Sequence, residues 1–150
     1  MDAAFHHDSQ SGATGVVARD DKGDFLAAAS WFLPHVNNVD CVELCATRNG
    51  LYLAANVGGN RVIVESESAF AVQTLNQHED YFGPEIVMVR ECHNLANESE
   101  KVSYDHCFRE ADEIADYLAK LCFSSRASSL WDSNPPDSIS HMLVNDLSII

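Results

Sequence analysis

Apolar positions along this chain follow two periods, and the changeover divides it into elements. Up to residue 33 they come in short runs. "DAAFHH" (2–7) reads as a short strand, and "TGVVARDDKGDFLAAASWFL" (14–33) as two strands joined at "DDKG", where Asp and Gly suit a hairpin turn. Together these make a β-meander. From Asn38 to Asn56 the period becomes helical, with apolar residues at Val39, Val42, Cys45, Ala46, Leu53 and Ala54. Gly58 and Gly59 then end the helix. "RVIV" (61–64) is continuously apolar, the pattern of a strand buried on both faces. "SAFAVQTLNQ" (68–77) reads as a second helix, and "GPEIVMVRECHNLAN" (83–97) as a third, with Pro84 in its first turn. "KVSYDHCF" (101–108) alternates at Val102, Tyr104 and His106 as a strand does. "READEIADYLAKLCF" (109–123) carries a helical stripe at Ala111, Ala115, Leu118 and Cys122, flanked by Ile114 and Leu121. The order βββ-α-β-α-α-β-α predicts an α/β domain with a mixed sheet and helices on its faces. Residues 124–150 are serine-rich, contain "NPP", and read as a loosely attached extension whose last stretch, "ISHMLVNDLSII", is expected to form a short docking helix.

Composition narrows the class. The chain has 150 residues, 46% of them hydrophobic. That suits one domain burying roughly two-thirds of its unfolded surface. No window reaches the ~20 apolar residues a membrane span needs, so no membrane partner is expected. The N-terminus has no basic region and no long apolar run, so no secretory signal is visible. Five cysteines (Cys41, Cys45, Cys92, Cys107, Cys122) form no CxxC pair. They read as packing thiols of an intracellular, reducing compartment. The formal net charge is −14, with nine Lys and Arg scattered along the chain. Nucleic-acid binding by this chain is therefore expected to be weak and highly salt-sensitive.

The candidate chemistry lies in acids at element ends. "VIVESESAF" (62–70) closes an apolar strand on two carboxylates, Glu65 and Glu67, and spacing alone cannot choose between them. Asp2 lies in the first strand, Glu43 on the first helix and Asp116 on the last. Ligands in such sheets collect near the carboxyl ends of strands. Four carboxylates from four elements could bind hard divalent cations through oxygen. With 23 acids present, some acid falls at almost any element end, so each taken singly reads as surface charge. His6 and His7 are adjacent on a strand and point to opposite faces, so they do not chelate together. No thiol is paired with a base at a catalytic spacing, and the glycines form no phosphate-binding loop.

Five pieces occur in a familiar order: "DAAF" (2–5), "GVVARDDKGDF" (15–25), "ELCATRNGL" (43–51), "RVIVESES" (61–68) and "HCFREADEIADYLAK" (106–120). Together they resemble the ribonuclease H-like domains related to retroelement reverse transcriptases, of the type common in plant genomes. The resemblance covers residues 1–123, leaving 124–150 as a C-terminal extension. It implies a five-stranded mixed sheet, three antiparallel strands then two parallel, with the first strand truncated at Met1. It further implies hydrolysis of the RNA strand of an RNA–DNA hybrid by a monomer holding two Mg²⁺ (or Mn²⁺) ions. Residue by residue, the metal-binding acids fall on Asp2, Glu43, Glu67 and Asp116, and an assisting histidine on His106. Glu67 stands where the family has aspartate, which moves its carboxylate out by about 1.5 Å. Misplacements of ~1 Å can cost on the order of a hundredfold in rate. Asp112 stands where asparagine is usual, one turn before Asp116, and adds negative charge. These departures keep two other expectations open. One is a catalytically degenerate nucleic-acid-binding module, and the other an interaction domain using the fold as a scaffold.

Overall fold

The computed structural model describes residues 1–77, 80–108, 113–132 and 134–137. Strands β1 (Asp2–His6), β2 (Ser11–Arg19) and β3 (Phe25–Leu33) form the expected antiparallel meander. The β2–β3 turn is built from its own side chain. Asp20 Oδ1 accepts from the Lys22 and Asp24 amides at 2.9 Å each, and Gly23 takes φ +85°, a conformation that favours glycine.

Helix α1 (Val39–Asn56) is capped by Asn38, whose Oδ1 accepts from the Cys41 amide at 2.8 Å. It is buried on more than its predicted stripe. Leu44 and Leu51 join Val42, Cys45, Ala46 and Leu53 inside, whereas Val39 stays 49% exposed. The helix has two partners: Leu53 packs on the meander, while Leu44 and Leu51 pack toward β4 (Arg61–Ser66), β5 (Lys101–His106) and α3 (Ile86–Ala96). Helix α2 (Ala69–Asn76) is capped by Ser68, whose Oγ accepts from Ala71. Pro84 lies in the turn before α3 rather than in its first turn; that helix begins at Ile86.

Strands β4 and β5 pair in parallel, Arg61 against Lys101 through Ser66 against His106. The expectation that "RVIV" is buried on both faces is corrected. Val64 is buried, but Ile63 is 66% exposed, because helices cover only one face of this pair. The expected strands are thus present in the expected directions. Their hydrogen bonds divide them into a four-stranded antiparallel sheet, β1-β2-β3-β6, and the parallel pair β4-β5. The Met1 amino group bridges the two sheets, donating to the Glu65 carbonyl at 3.1 Å. Strand β6 (Ser129–Asp132), which the sequence pattern did not suggest, pairs antiparallel with β3. Residues 138–150, including the whole of the expected docking helix, lie outside the described residues.

Helix α4 is described over Glu113–Ser125 and buries Ile114, Ala115, Leu118, Ala119 and Cys122, whereas Leu121 is 43% exposed. Its Ile114 and Leu118 pack with Ala28 and Val17, and α1 covers the opposite face through Val16, Ala27, Ala29 and Leu53. Two helices therefore sandwich the meander. The approach of α4 is set by Gly15. A Cβ there would overlap the Ala115 carbonyl oxygen and lie 2.7 Å from the Ala119 nitrogen.

Gly15→Ala is expected to lower stability by at least ~1–3 kcal/mol, because helix backbone cannot yield as a flexible side chain can. Gly58→Ala, at φ +78° with open space around it, is expected to cost only about 1 kcal/mol. Denaturant midpoints of the two variants check the ranking. A second test uses the core's titratable groups. Burial pushes the Cys45 and Cys92 thiols and the Tyr104 phenol up to about 12 each. The unfolded chain releases these protons first. Their stabilisation is full below about pH 9 and is lost as pH rises toward 12, at about 1.4 kcal/mol per pH unit per group. The Tyr104 hydroxyl is buried without a hydrogen-bond partner among the described residues. Tyr104→Phe should therefore match or exceed wild-type stability at pH 7 and lessen the alkaline loss above pH 10. Unfolding curves at pH 7, 9 and 11 measure both.

Candidate active site

Asp2 opens β1 directly opposite Gly15. Residues so paired in an antiparallel ladder project from the same face. That face carries α4, whose Ala115 and Ala119 lie against Gly15. Asp116 follows Ala115, so the two aspartates come from the strand and helix that meet at this glycine. Asp2 is buried, at 6% exposure, which is rare for a carboxylate and sets it apart from surface charge. Met1, one residue earlier, points the other way and packs on α1 at Gly50.

Asp116 Oδ2 accepts from Lys120 Nζ at 2.7 Å, one helical turn on. Sequence reading did not single out this lysine, although the i, i+4 spacing was visible. Nor did it single out Gly15, where a lone glycine inside a strand signals close backbone approach. Asp112 lies outside the described residues.

Burial separates the two acids of "VIVESESAF". Strand β4 ends at Ser66; Glu65 is exposed, while Glu67 is half-buried with its Oε1 shielded from solvent. Ser66 Oγ accepts from the Ser68 amide, turning the chain into α2 and carrying Glu67 out of the strand's alternation. His106, the last residue of β5, sits beside Ser66 in register. Its Nε2 bonds the Glu67 carbonyl at 3.0 Å. A carbonyl only accepts, so Nε2 carries the proton, and Nδ1 is the basic nitrogen of the neutral ring. The Cys107 amide donates to the Ser66 carbonyl at 2.9 Å, fixing the two strand ends together.

Glu43 lies on α1 beside Val42, whose methyls pack at Gly12 next to Ala4 of β1. It is half-buried, and its Oε2 is shielded from solvent. The structure thus sets Asp2 and Asp116 on the strand and helix that pack together at Gly15, joins His106 to the Glu67 main chain, and sets Glu43 on the helix that packs on β1. Among the described residues, however, no three His, Cys, Asp or Glu side chains are arranged to hold a metal ion. The donor set fits hard divalent cations in kind, being all carboxylate with shielded oxygens on two members. The thiols do not compete as nucleophiles. Cys45, Cys92, Cys107 and Cys122 are buried, and burial raises the thiol pKa of Cys45, Cys92 and Cys122. Among the described residues no helix is long and apolar enough to cross a membrane.

The reverse transcriptase-like family matches residues 1–122. The chain belongs to this family. Solved structures agree on the fold. The reverse transcriptase-like chain is similar to the N-terminal RNase H domain of a Mycobacterium tuberculosis protein, with a TM-score of 0.75 at 17% identity, over 83% of this chain and 90% of that one. It is similar to RNase H1 from the halophilic archaeon Halobacterium salinarum, with a TM-score of 0.75 at 21% identity, over 84% and 95%. It is also similar to an RNase H1 from compost, solved with an RNA/DNA hybrid, with a TM-score of 0.74 at 19% identity, over 83% and 94%. No curated protein matches this chain. The fold of this chain, an antiparallel sheet plus a parallel strand pair with flanking helices, is therefore that of the RNase H domains.

The Lys120–Asp116 pair tests whether this region is built for stability. An exposed i, i+4 pair contributes only about 0.3–0.5 kcal/mol. Lys120→Ala is expected to shift the unfolding free energy by no more than that, measured by denaturant unfolding. A loss above about 1 kcal/mol would give the pair a structural role.

Proposed function

We propose that this chain is a ribonuclease H-type domain acting on the RNA strand of an RNA–DNA hybrid. The observation that carries this reading is the placement of Asp2, buried, on the face where α4, the helix that bears Asp116, packs on the meander at Gly15. Glu67 and Glu43, each with one shielded oxygen, complete the acidic set. Asp2, Glu43, Glu67 and Asp116 would hold two divalent cations, Mg²⁺ or Mn²⁺. Such ions supply positive charge against the attacking and leaving oxygens of a phosphodiester. The residues themselves position and screen. Asp2 is held rigid by its ladder with Gly15 and the helix above it. The His106 bond to the Glu67 carbonyl ties the β5 terminus to the carboxylate-bearing turn and presents Nδ1 for proton transfer. Hybrid recognition would rest on 2′-hydroxyl and backbone contacts. A net charge of −14 makes that contact weak and steeply salt-dependent.

A second reading, a degenerate nucleic-acid-binding module, is favoured by Lys120, whose ammonium already neutralises Asp116 at 2.7 Å. Glu67 in place of aspartate points the same way.

Incubation with an end-labelled RNA–DNA hybrid in Mg²⁺ and in Mn²⁺ separates the two. The wild type is expected to cleave, and Asp116→Asn to lose on the order of a hundredfold or more. Glu67→Asp is expected to cleave at least as fast as wild type. Cleavage by Glu67→Asp alone supports the degenerate reading, and no cleavage by either protein would sink the proposal.

A further inference from the structure

At the far end of β1 and α4 from the acids lies a cleft of about 290 Å³, lined by His6, Asp8, Ser9, Phe123 and Arg126. His6 stacks on Phe123, with ring centroids 5.8 Å apart and planes 25° apart. Phe123 also packs on Phe32 at 6.3 Å, and the Arg126 guanidinium lies 6.0 Å over that ring. In a chain with nine Lys and Arg against 23 acids, this juxtaposition of cation and aromatic rings departs from the general charge. Part of it is structural: Arg126 ends α4 at φ +53°, with its amide on the Cys122 carbonyl. Its side chain is nonetheless exposed at the cleft.

The cleft and the acids Asp2 and Asp116 lie on the same two elements. Asp2 and His6 share one face of β1, four residues or ~13 Å apart. Asp116, Lys120 and Phe123 follow i, i+4, i+7 spacing on one side of α4, and the seven residues from Asp116 to Phe123 rise ~10 Å. Lys120 is 67% exposed between them. Stacked nucleotides repeat every ~3.4 Å along a strand. The two ends of this track are thus about three or four nucleotides apart.

We propose that the cleft is a contact for an unpaired nucleotide of a nucleic-acid strand running along α4. The base stacks on Phe123 and His6, and the backbone phosphate pairs with Arg126, with Lys120 between cleft and acids. Single-strand sites combine these parts, aromatic platforms and a cationic track. Ser9, whose Oγ shares a 2.6 Å hydrogen bond with Ser11 Oγ, lines the same cleft. The Asp8 carboxylate opposes the phosphate, which keeps the contact weak. This inference deepens the proposed activity by naming a single-stranded segment beside the hybrid, and it rests on that reading for its biological use.

The test uses the full chain in EDTA, so that metal binding and cleavage do not enter, with fluorescein-labelled single-stranded dT12 and an abasic 12-mer read by anisotropy. Wild type is expected to bind dT12 more tightly than the abasic strand. Phe123→Leu keeps apolar volume against Phe32 and is expected to lose about 5- to 100-fold on dT12 and little on the abasic strand. Arg126→Gln should weaken both and lower the salt slope by about one. Equal affinities of wild type and both variants for dT12, or no binding by wild type, overturn the cleft proposal. Metal-dependent hybrid cleavage, measured separately, reports on the acids alone.

Discussion

Gly15 has no side chain, and α4 occupies the space one would fill. That single close approach fixes how the last helix lies on the meander. It lets Ala115 and Ala119 sit on strand backbone, beside Asp116 in sequence, at the glycine whose cross-strand partner is Asp2. Packing and the geometry of the proposed site are therefore one constraint. A bulkier residue would lift the helix that bears Asp116 away from the strand pair that bears Asp2. The same helix runs on to place Phe123 over His6, so both ends of its exposed side are set by the contact at its middle.

Much of this was legible in the sequence. The helical period of residues 38–56 and the turn chemistry of Asp20 and Gly23 led directly to the observed elements, because both are local effects. The stripe through Ala115, Leu118 and Cys122 likewise predicted the buried face of α4. What was not legible depends on neighbours distant in sequence. Leu44 and Leu51 are buried because α1 lies between the meander and the β4–β5 layer, which no single period reveals. Ile63 is apolar yet exposed, because helices cover only one face of that layer. Strand β6 is four residues long and owes its existence to the open edge of β3 rather than to its own pattern.

The acids show the same division. Spacing left Glu65 and Glu67 equivalent; resemblance chose Glu67, and burial separates them in the same sense. The physical cause is the end of β4 at Ser66. Once the Ser66 side chain caps the following turn, regular alternation stops and Glu67 enters a different environment from Glu65. Asp2 needed a cross-strand partner to be placed, and Gly15, visible as an isolated glycine in a strand, was the signal that could have placed it.

Carboxylates brought together repel, and a chain of net charge −14 offers few cations to offset that cost. Here Lys120 meets Asp116 from the same helix, at a spacing that needs no long-range fold to form. The lysine is mostly exposed, so the pair contributes little to global stability, and its effect is local neutralisation of Asp116. On the proposed reading, a divalent cation approaching Asp116 would meet a carboxylate oxygen already partnered, and its uptake would be an exchange of one cation for another rather than the filling of bare negative charge. With Glu67 reaching further than an aspartate, two of the four proposed ligands thus differ physically from open aspartates. Both differences would bear on how readily the proposed set closes around ions, while the fold itself is retained.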